Sequence, residues 1–241
     1  MGHTHAVSGG VAWLAVATPL SEHVHPLTPA QVAVGAVVAA GAAMLPDLDH
    51  HSGTIANAFG PLSQVLCKTV AAMSGGHRKA THSLVGTGVF TALAVAATHD
   101  RWAVAALVWL CLGLAVRALW QRPRNRPNGR LDYRDVAGLV HAAVAFAVAY
   151  WVTSTVDVGV VPWAVAVGYL AHLIGDCLTP QGCPLFWPVP WRIRIATIDT
   201  GKTVEKYLVV PALYVGLAAT AYLTYGAWAP TIHTAVQAAA P

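Results

Sequence analysis

Histidine and acidic side chains concentrate at five places in this chain of 241 residues, which contains only 10 acidic residues in total. The five places, in chain order, hold His3 and His5; Asp47, Asp49, His50 and His51; His77, Arg78 and His82; His172 and Asp176; and Glu205. Histidine nitrogens and carboxylate oxygens together suit zinc, manganese or iron better than calcium or magnesium. The residue types therefore indicate a site for one or two divalent metal ions, with zinc as the first expectation.

The spacing within two of these places favours shared ligation. His172 and Asp176 are four residues apart, so a helix would put both side chains on one face, where they could bind one ion or two neighbouring ions. Asp47 and Asp49 follow Pro46 directly, and an irregular backbone at this point could direct both carboxylates inward. Either pair alone also has an ordinary explanation, because such pairs are common within helices and at helix ends.

The stretch GGHRKATHS at 75–83 combines a helix break with ligand-type residues. Its two glycines are expected to end the preceding helix, and Thr81 is predicted to cap the next one. His77 and His82 bracket this helix start, while Arg78 carries a planar fork of donors suited to a phosphate or carboxylate group. Alone, the stretch could equally be a basic anchor at a membrane surface. Together with the other places, it favours a common site.

The elements that must position these residues are membrane helices. The chain is 56% hydrophobic and 10% charged, with a mean hydropathy of +0.56, whereas soluble domains carry about 25% charged residues. About 20 apolar residues span a bilayer as a helix. Seven apolar runs occupy roughly residues 7–20, 30–46, 82–98, 102–120, 136–154, 160–178 and 207–228. The sequence thus predicts an all-α, polytopic membrane helix bundle of about six to seven helices, forming one domain over residues 1–241.

Three further features complete the predicted organisation. Residues 55–74 are less apolar and are predicted to form a helix at the membrane interface. The segment CPLFWPVPWRIR at 183–194 is either an interfacial anchor or one wall of a lipid access slot, and the sequence leaves both interpretations open. The four cysteines form no CxxC pair, which favours core thiols over metal ligands.

The distribution of positive charge predicts the orientation in the membrane. If all seven runs cross from a cytoplasmic N-terminus, segments 47–82, 117–135 and 179–206 lie inside and hold nearly all Lys and Arg residues, which leaves Arg101 outside. Cytoplasmic loops of membrane proteins carry such an excess. The run RPRNRPNGR therefore belongs to a basic cytoplasmic loop over 121–135. No nucleic-acid partner is expected, because no aromatic residues interleave with these charges.

This topology brings all five places to one cytoplasmic membrane face. Ionisable groups at membrane depth are unfavourable unless they pair with one another or with a metal ion. A shared cation removes that penalty. A metal site at the cytoplasmic face thus explains why a chain so poor in charge carries acids beside histidines there.

The order of the motifs GHTH, LPDLDHH, GGHRKATHS, GYLAHLIGDCLTPQGCPLFWP and TGKTVEKY resembles the YdjM-like family of inner-membrane-associated, metal-dependent hydrolases, also described as LexA-binding. The likeness runs from His5 to about Glu205 and implies a multi-pass protein of a bacterial-type inner membrane. It implies metal ligands among His5, Asp47, Asp49, His50, His77, His82, His172 and Asp176, and functional roles for Arg78, Thr179 and Glu205. The order of His and Asp is also distantly similar to that of zinc-dependent phospholipase C, which favours phosphate esters as substrates.

The expected activity is hydrolysis, by metal-activated water, of a lipid-linked phosphoester or other ester at the cytoplasmic leaflet. Glu205 or Asp49 would accept the proton of the water. Arg78 would hold the anionic head group and stabilise developing charge. Thr81 and Thr179 would orient the ligands through hydrogen bonds. Membrane lipid and a lipid-linked substrate are therefore the expected partners.

Two other functions compete with this expectation. A metal or proton transporter needs ionisable groups at mid-membrane depth in several spans, and only His141 lies there. A non-catalytic scaffold could bind a regulator through the basic loop, but it leaves the His and Asp residues unexplained unless the metal is structural. Structural sites are closed, have four ligands and often use cysteine. More than four candidate ligands without a convincing cysteine favour an open, catalytic site.

Overall fold

The structure is a computed structural model that describes residues 2–24, 26–50, 55–120 and 133–239. Eight α-helices make up most of this part of the chain: α1 (Gly2–His23), α2 (Pro29–Ala42), α3 (Pro61–Ser74), α4 (Leu84–Ala97), α5 (Arg101–Leu119), α6 (Tyr133–Thr155), α7 (Val161–Cys177) and α8 (Val210–Ala239). The predicted all-α class is confirmed. His51 and residues 121–132, which include most of the predicted basic loop, lie outside the described residues.

The helices coincide with the predicted elements. Seven of them correspond to the seven apolar runs, and α3 lies within the segment 55–74 predicted to be an interfacial helix. Five segments are long and apolar enough to cross a membrane: Pro29–Asp49, Arg101–Leu119, Ala137–Thr155, Val158–Cys177 and Glu205–Thr234. α4 is a shorter apolar helix of 14 residues. The described part of the chain is therefore a polytopic membrane helix bundle, as the composition predicts.

The helices α1, α2 and α7 meet at the backbone of Ala39, in the centre of the bundle. A methyl group on Gly9 of α1 would lie 2.5 Å from the Ala39 carbonyl oxygen, and one on Gly168 of α7 would overlap the same oxygen. Small residues allow such close helix approach in membrane bundles generally. On its other side α2 packs against α5, where a methyl group on Gly41 would overlap the Cys111 backbone.

The close packing at Ala39 fixes the position of the polar end of α2 relative to the polar end of α7. One turn beyond Ala39, the Ala43 carbonyl oxygen lies 2.7 Å from Nδ1 of His172 on α7. The helix α2 ends there, and the chain turns through a short 3-10 helix over Pro46–Asp49. The irregular backbone predicted after Pro46 is thus confirmed, and it carries both aspartates toward the same end of α7.

The loop between α3 and α4 departs from one prediction. Gly75, with φ +77°, ends α3 as expected. The prediction that Thr81 caps α4 is wrong, because the cap is Ser83, whose side chain accepts a hydrogen bond from the Gly86 amide at 3.3 Å. An N-cap requires extended backbone, which Ser83 has at φ −141°, whereas Thr81 lies in a 3-10 turn over Ala80–His82. The Thr81 hydroxyl is therefore left for the candidate site.

The segment that follows α7 folds back against the end of that helix. The backbone amides of Cys183 and Ile193 each bind the other's carbonyl oxygen, at 3.0 and 2.8 Å. The Ile195 amide donates to the Cys177 carbonyl oxygen at 2.8 Å. Trp191, within the segment predicted to be an anchor or a slot wall, is 68% exposed. Its exposure is compatible with both interpretations.

Candidate metal centre

Seven of the eight predicted metal ligands lie together at one end of the bundle. Their potential ligand atoms form two groups, within each of which all atoms lie within 4.8 Å of one another: Asp47, Asp49, His77 and His82 in one, and His5, His172 and Asp176 in the other. These seven residues are called the His/Asp cluster below. They belong to α1, the turn after α2, the loop before α4 and the end of α7, so four separate segments converge.

Four ligand atoms join the two groups around a common point. Nε2 of His82 lies 3.5 Å from Oδ1 of Asp47 and 3.5 Å from Oδ2 of Asp176. Nε2 of His172 lies 3.9 Å and 3.6 Å from the same two oxygens. Nitrogen and oxygen ligands at ~2.0–2.1 Å from a tetrahedral zinc ion are about 3.4 Å from one another. The four measured distances are therefore near those of a tetrahedral site with two nitrogen and two oxygen ligands.

Three of these four atoms are buried and have no hydrogen-bond partner among the described residues: Nε2 of His82, Nε2 of His172 and Oδ2 of Asp176. Both histidine side chains are fully buried, and that of Asp176 is 1% exposed. Buried polar atoms almost always have partners, and an unpaired buried charge is especially unfavourable. A divalent cation would satisfy all three atoms at once, so these residues fit a metal ion.

Both His82 and His172 are oriented by a contact at Nδ1, the ring nitrogen that faces away from the common point. Nδ1 of His172 donates to the Ala43 carbonyl oxygen at 2.7 Å, which leaves Nε2 with a lone pair. Nδ1 of His82 lies 3.3 Å from Oδ2 of Asp49. Metal-binding histidines almost always direct their second ring N–H to a carboxylate or a backbone carbonyl in this way. Burial lowers the pKa of His82, but the nearby carboxylates of Asp47 and Asp49 outweigh it and raise the pKa to about 9. The site thus favours positive charge.

Asp49 is buried, and both of its oxygens are in contact with donors. Oδ1 lies 2.7 Å from Nδ1 of His77. Oδ2 accepts hydrogen bonds from the Arg78 amide at 3.0 Å and from the Thr81 hydroxyl at 2.6 Å, besides its contact with His82. Asp49 therefore ties the loop before α4 to the turn after α2, and this loop delivers His82 to the cluster.

The side chain of Arg78 points into the protein, toward Asp176. Its backbone has φ +57°, and residues in such uncommon conformations concentrate at functional sites. Nη2 donates to Oδ1 of Asp176 at 2.8 Å, and Nη1 donates to Thr179 Oγ1 and to the Gly182 carbonyl oxygen at 3.3 Å each. Thr179 in turn donates to the Asp176 carbonyl oxygen at 2.8 Å. Arg78 thus fixes one carboxylate oxygen and leaves the other to face the two histidines.

Two predicted ligands differ in how closely they join the cluster. The His5 ring stacks on that of His172 with centroids 4.0 Å apart, and its Nε2 lies 3.7 Å from Oδ1 of Asp176. His50 packs against His77 with ring centroids 4.6 Å apart. Neither ligand group found in the described part of the chain includes His50.

Glu205 lies beside the cluster and not within it. It begins a π-helical turn, Glu205–Val209, directly before α8. Its buried carboxylate accepts a hydrogen bond from the Thr4 hydroxyl at 2.6 Å and another from the Gly201 amide. Glu205 and His5 line the same cavity, which has a volume of about 240 Å³. Through this cavity Glu205 borders the His5 side of the cluster.

Two residues that support the site escaped the sequence analysis. Tyr169 is fully buried and donates its hydroxyl to the Thr81 carbonyl oxygen, and its position three residues before His172 was an available signal. Cys183 donates its thiol to the His82 carbonyl oxygen at 3.0 Å, and no local pattern indicates this contact. Burial raises the pKa of the Cys183 thiol, so it acts as a neutral donor.

The prediction of core thiols is confirmed, because all four cysteines are free and buried.

Comparison with known proteins assigns the chain to a family. The family model described as YdjM inner membrane protein matches residues 1–120 and 136–238. Two curated relatives, both described as inner membrane protein YdjM, come from Escherichia coli (strain K12) and Shigella flexneri. Each is 42% identical over 50 residues, which cover 20% of this chain and only 25% of the relative. No solved structure matches the chain significantly.

The family match and the apolar helices lead to the same location. The matched ranges include the His/Asp cluster and all five segments able to cross a membrane. The protein is therefore a multi-pass protein of the inner membrane, and it belongs to the YdjM inner membrane protein family.

Proposed function

We propose that this protein is a membrane-bound, metal-dependent hydrolase that cleaves a lipid-linked ester, preferably a phosphoester, at the cytoplasmic leaflet. One observation carries the proposal. Nε2 of His82, Nε2 of His172 and Oδ2 of Asp176 converge beside Oδ1 of Asp47, and within the described part of the chain all three are buried without hydrogen-bond partners. Sites built from histidine and carboxylate ligands without cysteine are typical of catalytic zinc, whereas structural zinc often uses cysteine.

In this proposal the ligands of the ion are His82, His172, Asp47 and Asp176, with His5 adjacent. Two nitrogen and two oxygen donors suit zinc first, with manganese and iron as alternatives. When bound, such an ion lowers the pKa of a water molecule toward neutrality. The Asp47 side chain is 25% exposed while the other three are buried. In this proposal water would reach the cluster on the Asp47 side.

Other residues of the chain would hold the Asp176 carboxylate in place and accept the proton of the water molecule. We assign Arg78 to holding Asp176, because both of its terminal nitrogens bond within the protein. Its binding of a substrate head group stays a prediction. Glu205 is the candidate proton acceptor, because it shares a cavity with His5 and a general base can act through one water. Thr179 supports Asp176 and Arg78 by hydrogen bonds.

Asp49→Asn is expected to weaken metal binding by roughly 10–100-fold without abolishing it, the usual effect of losing an orienting partner. Asparagine retains the shape of the side chain but loses the charge that attracts the His82 ring N–H. Competition for zinc with a chromogenic chelator measures the change. Asp199→Asn, which alters an exposed acid, serves as the control and should bind like wild type. Complete loss of metal in Asp49→Asn would instead make Asp49 a direct ligand.

The proposal also requires a cytoplasmic N-terminus, because the charge distribution then puts the cluster at the inner face. A reporter that is active only in the cytoplasm, fused after Arg126 in the basic loop, should be active. A reporter that is active only after export should be silent at the same position. Export of the second reporter would reverse the orientation and move the site to the outer face.

Metal removal and restoration test the hydrolase directly. Wild-type protein in lipid vesicles should contain a stoichiometric amount of zinc, manganese or iron by elemental analysis. After chelation, its hydrolysis of phosphatidic acid or polyprenyl phosphate should fall to background and return when the metal is restored. Only trace metal in the wild type would defeat the proposal. Bound metal without hydrolysis, with a cellular role that survives loss of the cluster, is the result expected of a non-catalytic scaffold.

A further inference from the structure

The cavity beside the His/Asp cluster lies among α1, α7 and α8. Its apolar lining includes Ile174 in α7 and Leu178 just after it, Val209 in the π-helical turn before α8, and Leu213 in α8. Most of the surface that faces the cavity is apolar, although six polar residues also line it: Thr4, His5, Ser8, Thr179, Thr200 and Glu205. The lining therefore suits a ligand that is mostly hydrocarbon and carries one polar group.

Two of the helices that line the cavity, α7 and α8, are separated from each other, and Ile198 and Thr200 of the segment between them also line it. Both α7 and α8 pack extensively against α1, but they hardly touch each other. The floor of the cavity is therefore α1, and its two walls are separated by a gap. Ile174 lines the cavity yet is 59% exposed. Both wall helices belong to segments able to span a membrane, and a gap between two such segments would connect the cavity with the hydrocarbon region of the bilayer.

The inner part of the cavity adjoins the cluster. His5 lines the cavity, and its Nε2 lies 3.7 Å from Oδ1 of Asp176. Thr179 also lines it and accepts a hydrogen bond from Arg78. A ligand with its chain along Leu213 would therefore present its polar end to the cluster. The volume of about 240 Å³ is below the roughly 300–1,000 Å³ of pockets that enclose whole drug-sized ligands. Part of one chain fits, with the remainder left in the bilayer.

We infer that this cavity binds the hydrocarbon chain of a membrane lipid, which enters sideways between α7 and α8 and places its ester link next to His5. The inference deepens the proposed function and rests on it for the nature of the reacting group. Binding of the chain requires neither the metal nor the reaction. The ligand class is a single acyl or polyprenyl chain that carries an anionic phosphate head group.

Photolabelling in vesicles tests the inference. The full-length protein is placed in phosphatidylethanolamine and phosphatidylglycerol vesicles that contain phosphatidic acid with a diazirine on one acyl chain. After irradiation, mass spectrometry of peptides should find the label concentrated at Ile174 and Leu213. In Leu213→Trp the indole would displace about two methylene groups of the chain, so labelling at Ile174 should fall about tenfold. Labelling spread evenly over the lipid-facing sides of all spans would overturn the inference.

Tryptophan substitutions at other positions test whether a change in labelling comes from the cavity or from an indirect effect of the added side chain. Val215→Trp adds the same side chain on the same helix at a lipid-facing position, 69% exposed, and should be labelled like wild type. Ile174→Trp fills the cavity from the α7 side and should reduce labelling at Leu213. This variant keeps the inference testable if Leu213→Trp folds poorly. Equal labelling of the cavity variants and Val215→Trp would overturn the inference. Competition by unlabelled phosphatidic acid or by polyprenyl phosphate identifies which chain binds better, and either result supports a chain site.

The experiment also separates this inference from the hydrolase proposal. Asp176→Asn, designed to lose the metal, should be labelled in the cavity as strongly as wild type. Cavity labelling of wild-type protein that purifies with only trace metal would sink the hydrolase and leave the chain site standing. Metal-dependent hydrolysis that is unchanged in Leu213→Trp and Ile174→Trp, with unchanged labelling, would sink the chain site and leave the hydrolase standing.

Discussion

Purified Asp176→Asn protein is expected to contain only trace metal, whereas the wild type carries a stoichiometric amount. Oδ2 of Asp176 lies 3.5 Å from Nε2 of His82 and 3.6 Å from Nε2 of His172, so it is central to the proposed ligand set. The loss of affinity should exceed the roughly 10–100-fold that follows removal of an orienting partner, because a ligand and its negative charge disappear together. Elemental analysis of protein purified without chelators measures the result.

Asparagine is preferable to alanine here because Asp176 also pairs with Arg78 at 2.8 Å. Removing one partner of a buried ion pair destabilises proteins by roughly 3–5 kcal/mol, whereas asparagine retains an oxygen that can accept from the guanidinium group. His82→Ala should lose metal equally without touching this pair. Asp199→Asn controls for loss of an acid, since Asp199 is exposed and paired with Lys202. Equal metal content in all these proteins would leave no basis for a metal site.

Gly168→Val is expected to disrupt the cluster without changing any of its residues. A Cβ atom at this position would overlap the backbone of Ala39, which cannot move aside as a side chain can. Overpacking usually costs roughly 1–3 kcal/mol, and we expect this variant at or above the upper end. The helix α7 would move away from α2, which separates His172 from Ala43 and hence from Asp47. The unfolding midpoint, followed by tryptophan fluorescence, and the metal content should fall together.

Gly88→Val provides the matched comparison. It makes the same change within an α-helix, but no atom lies within 4 Å of a Cβ placed at Gly88. This variant should unfold like wild type and retain its metal. If Gly168→Val behaved in the same way, close packing of α2 against α7 would not be what positions the ligands.

The helices were predictable because each one depends on the length and apolarity of its own segment of sequence. The apolar runs at roughly 82–98 and 160–178 became Leu84–Ala97 and Val161–Cys177, a difference of one or two residues at each end. A helix in lipid satisfies its backbone hydrogen bonds within its own segment, so length and apolarity are enough to find it. The shared helix face of His172 and Asp176 likewise follows from spacing alone.

The contacts that individual side chains make were not predictable from local sequence in this way. Thr81 was expected to cap a helix, yet its hydroxyl bonds to Asp49, 32 residues away in the chain. Arg78 was expected to face a substrate, yet it bonds to Asp176 across 98 residues. The family resemblance placed Arg78 in a site, but it carried no information on which atoms the side chain contacts.

From the sequence alone one can determine that the chain forms a membrane helix bundle, and that most of its scarce acids and histidines fall at the ends of helices. Only the tertiary structure decided that Nε2 of His82, Nε2 of His172 and Oδ2 of Asp176 face one another, with no hydrogen-bond partner among the residues that the structure describes. The physical reason is the range of the interactions. Helix formation is decided by neighbours along the chain, whereas ligand geometry depends on how closely α1, α2 and α7 approach around Ala39.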